Sequence, residues 1–169
     1  MRYLICFCVS MFVIFYACSE PDDDLSQVRT IPVKSDLPIY HFNCDSITSE
    51  RRKTIGKANI VNSEEDILNL YNIWNLQVPD EAKNVDYEKN TLLISFDIST
   101  SYPASVKYAF YSTEEYGQNK YNYVRSYLYE ESDVHTTSEN IILYYSYSGI
   151  IINKIESDSR IVISGIPIL

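Results

Sequence analysis

From Asn90 to its end the chain is a succession of strand-forming runs, and that stretch limits its fold more than any other feature. "TLLISFDI" (91–98), "ASVKYAFYS" (104–112), "YNYVRSYLY" (121–129), "NIILYYSYSGIII" (140–152) and "SRIVISGI" (159–166) are all rich in β-branched and aromatic residues. Glu114–Lys120, which contains Gly117, and Glu156–Ser159 carry turn chemistry between them. Gly149, inside a strand-like run, suggests a bulge or bend. Runs joined this closely are expected to pair antiparallel.

The preceding segment supplies one helix. Ser63 stands before Glu64, Glu65 and Asp66, an N-cap followed by acids where the helix dipole favours them. Ile67, Leu70, Tyr71 and Trp74 follow at the spacing of one apolar stripe. A helix over 64–75 is expected, closed by Asn75 and Pro79, with Trp74 as its deepest core anchor. "LPIYHFN" (37–43) reads as a strand or edge segment because Pro38 lacks a ladder donor, and "ANIVN" (58–62) as a short strand. "SITSERRKTIGK" (46–57) reads as polar loop, with Arg51, Arg52 and Lys53 solvated. One helix and many strands predict an α+β fold: an antiparallel sheet of about five to seven strands, as a meander or small sandwich or barrel, with the helix packed on it.

The chain opens with Met1 and Arg2, and then Tyr3–Phe15 is almost wholly apolar. That run of about 13 residues is too short to span a bilayer, which needs about 20, and has the length of a signal peptide's apolar region. Ala17, small, precedes Cys18, and "SEPDDD" follows. "FYAC" (15–18) resembles the lipobox of a bacterial lipoprotein, with Phe15 and Tyr16 where strict boxes carry Leu or Val and a small residue. Looser boxes and an acidic tract after the cysteine are similar to those of Bacteroidetes surface lipoproteins. The resemblance implies a signal peptide over 1–17, acylation of Cys18 and a bilayer anchor through it. It also implies an outer-membrane location, at the cell surface or on the periplasmic face. Two or three acyl chains would make such an anchor effectively permanent. The alternative is a secreted protein cleaved near Ala17. Residues 18–30 then read as acylated cysteine and solvated linker, and 31–169 as a single α+β domain.

Removing residues 1–17 also removes Cys6 and Cys8, so that Cys44 is the one thiol left once Cys18 is acylated. Neither an intramolecular disulfide nor a cysteine-based metal site is then available. The remainder carries 13 basic against 23 acidic residues, a balance that argues against nucleic acid as a partner.

Residues 58–166 are similar to small lipoproteins of the protease-complex-stabilising (PrcB-like) type. The shared features are a strand, the capped helix "NSEEDILNLYNIW", the acidic–aromatic pair Asp86-Tyr87, the strand "TLLISF" and a meander. Where that family carries a glycine-rich "TGGY" turn this chain has "STSYPAS" (99–105). The resemblance implies a non-enzymatic, partner-binding role.

The residues themselves offer one candidate binding surface. Tyr121, Tyr123, Arg125, Tyr127 and Tyr129 share one parity and so, in a strand, one face. Exposed, they would form a rigid aromatic row suited to a sugar ring or an extended peptide, with Arg125 stacked between rings. Alternatively the rings pack inward and only the hydroxyls reach the rim. No catalytic or metal-binding signature is found: His41 and Cys44 are spaced for opposite faces of a strand, and His135 beside Asp133 stands in a polar turn. No cofactor is expected. The expected function is a membrane-anchored, non-catalytic module binding a protein or glycan. The alternatives are a self-associating envelope protein built on "IILYYSYSGIII", or a hydrolase that brings an acid such as Asp97 against a tyrosine.

Overall fold

The structure, a computed structural model, describes residues 28–115, 118–129 and 142–168. Cys18 and the stretch read as its signal peptide, the acidic tract, Gly117 and His135 lie outside the described residues. Among the described residues the fold is α+β and dominated by sheet: eight strands in two four-stranded sheets, with three short helices.

In chain order the elements are β1 (Arg29–Thr30), β2 (Ser35–Phe42), α1 (Ser49–Thr54), β3 (Asn59–Val61), α2 (Glu64–Trp74), α3 (Asp80–Lys83) and β4 (Asn90–Ser99). Then come β5 (Pro103–Glu115), β6 (Gln118–Tyr129), β7 (Tyr144–Asn153) and β8 (Ile161–Ile168). One sheet has the order β1-β5-β6-β8 and the other β2-β7-β4-β3. The first is the outer sheet below, the second the central one. β1 pairs Arg29 with Ser112 and Thr30 with Tyr111, so a strand lies inside the stretch read as linker.

The central sheet is buried on both faces. Leu92, Ile94, Phe96 and Tyr147 pack with Ile67, Leu70, Tyr71 and Trp74 of α2. Leu93, Ile150 and Ile152 pack with Phe110 and Tyr123 of the outer sheet. The molecule is therefore three layers deep: helix, sheet, sheet. This explains why "TLLISF" is continuous rather than alternating, since every residue from Thr91 to Phe96 is buried.

Capping of α2 follows its sequence. Ser63 Oγ accepts from Asp66 N at 3.1 Å, and Asp66 Oδ2 accepts from Asn62 N at 3.0 Å. At the other end Asn75 is left-handed (φ 55°), which a short amide side chain tolerates. Ser63→Ala is expected to cost about 1 kcal/mol. The measurement is urea unfolding: a lowered midpoint at unchanged slope is expected, and an unchanged midpoint would refute the cap's contribution.

Three expectations need correction. β8 runs parallel to β6, not antiparallel, because the chain crosses the other sheet through β7 before returning. Residues 46–57 are not all loop. Thr48 Oγ1 accepts from Arg51 N at 3.2 Å and starts α1 there. The strand irregularity suggested for Gly149 lies opposite it, on β2 between Leu37 and Tyr40, where Pro38 has no donor to give. Gly149 serves a different purpose, since a Cβ there would stand 2.5 Å from the Leu93 carbonyl oxygen of the adjoining strand.

Candidate functional site

β6 lies between β5 and β8. Its odd-numbered residues do share a face, and that face is turned toward the central sheet. Tyr123 is fully buried, Arg125 is 4 % exposed and Tyr127 7 %, while Tyr121 and Tyr129 are half-buried. The open aromatic row read as a candidate binding surface is instead an interlayer.

The reason lies on β4. Asp97 projects into the same gap, and Arg125 Nη1 forms a short ion pair with its Oδ2. Tyr127 Oη donates to that oxygen at 2.8 Å, and Arg125 Nη1 donates to Tyr127 Oη at 2.5 Å. The guanidinium carbon stands 6.0 Å from the Tyr123 ring centroid and 5.3 Å from that of Tyr127. An arginine can be buried only with a partner of this kind.

Burial holds Tyr127 in its neutral form, its pKa pushed well above the usual value, and the Asp97 charge adds to that. Burial chiefly raises Tyr123 well above its usual value, with Tyr108, Tyr127 and Asp97 adding to it and Arg125 opposing, and burial pushes Tyr108 to about 12. Burial works to lower the Arg125 pKa, but Asp97 and Tyr127 outweigh it and the net shift is upward. The cluster is not fully satisfied: among the described residues Arg125 Nε and Tyr123 Oη have no hydrogen-bond partner. Chemically this is a closed ion pair with its acid in use by two donors.

At the same end of the sandwich three rings reach outward. His41 stacks on Tyr102 at 4.2 Å between centroids, and Tyr144 meets Tyr102 edge-on at 5.5 Å. His41 is exposed and both tyrosines half-buried, with Ile142 (62 %) and Leu143 (47 %) exposed just before β7. The strand parity of the sequence set attention on β6, whereas Tyr102 sits in the turn before β5 and Tyr144 at a strand end. Nothing local in the sequence links them.

His41 and Cys44 have separate surroundings. Cys44 Sγ donates to Ser46 O at 3.2 Å and accepts from Arg51 Nη1 at 3.4 Å. Arg51 is the residue the sequence reading misplaced. Far from being solvated, it donates from Nε to Ile73 O at 2.9 Å and from Nη1 to Ser46 O at 2.7 Å, and stands 5.4 Å above the Trp74 ring. It supplies a cation to the last turn of α2, which carries none of its own. Trp74 is the core anchor its spacing predicted: 3 % exposed, stacked on Phe96 at 4.8 Å, its Nε1 donating to Thr54 Oγ1 at 2.9 Å.

A groove of about 500 Å³ runs beside α2, lined by Ile67, Leu68, Leu76, Val78 and Tyr87, with Glu64 and Lys83. Leu68 is 53 % exposed, off the buried stripe of the helix. Tyr87 is held by its hydroxyl, which donates to Ala82 O at 2.9 Å, and burial raises its pKa to about 12. Asp86 of the same pair organises the turn into β4. Its carboxylate accepts from Lys89 Nζ and Glu88 N, and the Lys89 bond holds it below the usual carboxylate range.

Among the described residues no three His, Cys, Asp or Glu side chains come together as a metal site, and no helix is long and apolar enough to cross a membrane. No protein-family model, curated protein or solved structure matches the chain.

Proposed function

We propose that this is a lipid-anchored protein of the outer membrane, held through acylated Cys18 and facing the cell surface, whose α+β domain is a non-catalytic module that binds a protein partner. The observation that carries the partner reading is the apolar groove beside α2, with Leu68 standing half in water on an otherwise polar helix face. Such a recess suits an apolar anchor side chain from another protein. The engagement of Asp97 by both Arg125 and Tyr127 supports a non-catalytic role, since a bound acid is not poised to transfer a proton. The acidic balance supports a partner other than nucleic acid.

The anchor is tested by feeding cells an alkyne-tagged fatty acid. Label is expected on the wild-type protein and absent from Cys18→Ser. Label on that variant, or none on wild type, refutes the anchor. The partner surface is tested by placing a photo-crosslinking residue at position 68 in intact cells. A discrete protein adduct is expected there and not from position 107, on an exposed part of β5. Equal adducts from both positions, or none from either, would overturn the groove reading.

A glycan reading draws on a separate observation, the outward rings of His41, Tyr102 and Tyr144, whose faces suit the apolar side of a sugar ring. Its test is retention on immobilised polysaccharide, which Tyr102→Ala should abolish. Retention that survives that change removes the reading.

A further inference from the structure

We propose that β8 is a dimerisation edge, and that a second copy of this chain pairs with it antiparallel across a two-fold axis at Ile163. The two sheets have four edge strands, and three of them are protected. β1 is two residues long and covers β5 only near Tyr111 and Ser112, the rest of β5 carrying the exposed charge of Lys107, while β3 is three residues long and β2 is interrupted at Pro38. Short, bulged or proline-broken edges are the usual guards against strand addition. β8 has eight residues, "IVISGIPI", with no charge among them, and among the described residues it is paired on one side only.

The ladder fixes which groups are free. Arg160 O accepts from Tyr121 N at 3.2 Å, within a parallel register that sets Tyr121 beside Ile161. In such a ladder successive residues turn alternately toward and away from the neighbour. The even-numbered residues of β8 therefore face β6, and the N–H and C=O groups of Ile161, Ile163 and Gly165 point to the open edge. Pro167 shares that parity and offers no N–H.

These free groups are self-complementary. Antiparallel pairing about Ile163 sets Ile161 against Gly165 of the second copy and Ile163 against its own counterpart. Every donor then meets an acceptor. Pro167 falls opposite Ser159, beyond the end of the strand, where it costs no bond. Val162 comes opposite Ser164 of the second copy as a non-hydrogen-bonded pair, with Cα atoms about 4.5 Å apart. The product is one eight-stranded sheet continuous through two molecules. Strand addition is closed to the part of "IILYYSYSGIII" that lies in β7, because β7 is paired on both sides, by β2 and β4.

The experiment uses the full-length protein in detergent, independent of both the anchor and the α2 groove. Sedimentation is expected to show a concentration-dependent dimer. Gly165→Pro removes an outward N–H and leaves the β6 ladder intact. It is expected to weaken self-association about tenfold or more, since symmetry deletes two bonds at once. Register is read separately by oxidising single-cysteine changes. A mixture of Val162→Cys and Ser164→Cys proteins should form a disulfide-linked dimer, and neither protein alone should do so, apart from background set by unmodified chain. The spacing of that pair suits a disulfide. A monomer across the accessible concentration range would overturn the proposal. So would a dimer that survives Gly165→Pro, or one in which the mixed pair fails to link. A monomer whose β8 amides become protected only when another protein is added would assign the edge to a partner strand instead.

Discussion

Asp97→Ala is expected to destabilise the domain by about 3–5 kcal/mol, the range for breaking a buried ion pair from one side. The size follows from what remains. Arg125 cannot neutralise itself, its side chain is 5 % exposed, and its Nε already lacks a partner. Without the carboxylate, Tyr127 Oη is the hydrogen-bond partner left to the guanidinium among the described residues, and it loses its own acceptor. Replacing both charges at once, as Asp97→Leu with Arg125→Met, should recover most of the loss, because apolar groups of similar volume fill the same gap without desolvation cost. The measurement is urea unfolding of wild type, both single variants and the double variant, compared as a cycle. A loss below about 1 kcal/mol in Asp97→Ala would mean that water reaches Arg125 once the acid is gone, as at a surface pair.

Alkaline pH should unfold the domain with comparable force. Tyr71, Tyr123 and Tyr127 all have pKa values pushed well above 10, in each case chiefly by burial. The folded chain keeps these protons where the unfolded chain would release them. Their contribution is therefore complete below about pH 10 and is lost as pH rises toward the folded values. By pH 11 each such hydroxyl withdraws about 1.4 kcal/mol. Three together withdraw about 4 kcal/mol from a total that for a domain is about 5–15. Tyr87 and Tyr108, raised to about 12, add in the same direction, Tyr87 less because it is only half-buried. Absorbance at the tyrosinate band should rise in step with loss of circular dichroism, at a pH that urea lowers. A smooth titration near pH 10 with the fold intact would show that the buried hydroxyls reach solvent without unfolding.

Much of this architecture could be read from residues alone, and the limits have physical causes. The helix and its anchor were legible because Ser63, the three acids and the stripe ending at Trp74 all act within one element. The shared face of the β6 tyrosines was legible for the same reason, as parity is local. Its direction was not. What turns the row inward is Asp97, 28 residues away on the other sheet, and no spacing within β6 points to it. Nor can a strand pattern encode whether a neighbour runs parallel, which is why the direction of β8 was missed. α1 escaped because three consecutive cations mask a six-residue helix, although Thr48-Ser49-Glu50 is a usable start signal. One available sign went unread. The apolar run Leu92-Leu93-Ile94, followed by Ser95 and Phe96, does not alternate, which indicates burial on both faces and hence a layer on each side of the central sheet.

The position of β7 also sets the order in which the fold can come into being. Tyr147 lies between Tyr40 on one neighbour and Phe96 on the other, so the strand that joins β2 to β4 is made after both. Until it arrives, β2 stands apart from the β3–β4 pair, with a vacant slot between them. Local contacts form early, but closure across such distances is slow, and exposed strands wait in the meantime. The central sheet thus stays open until β7 has been made. A chain halted before Tyr144 would leave Leu92, Ile94 and Phe96 without the strand that completes their layer.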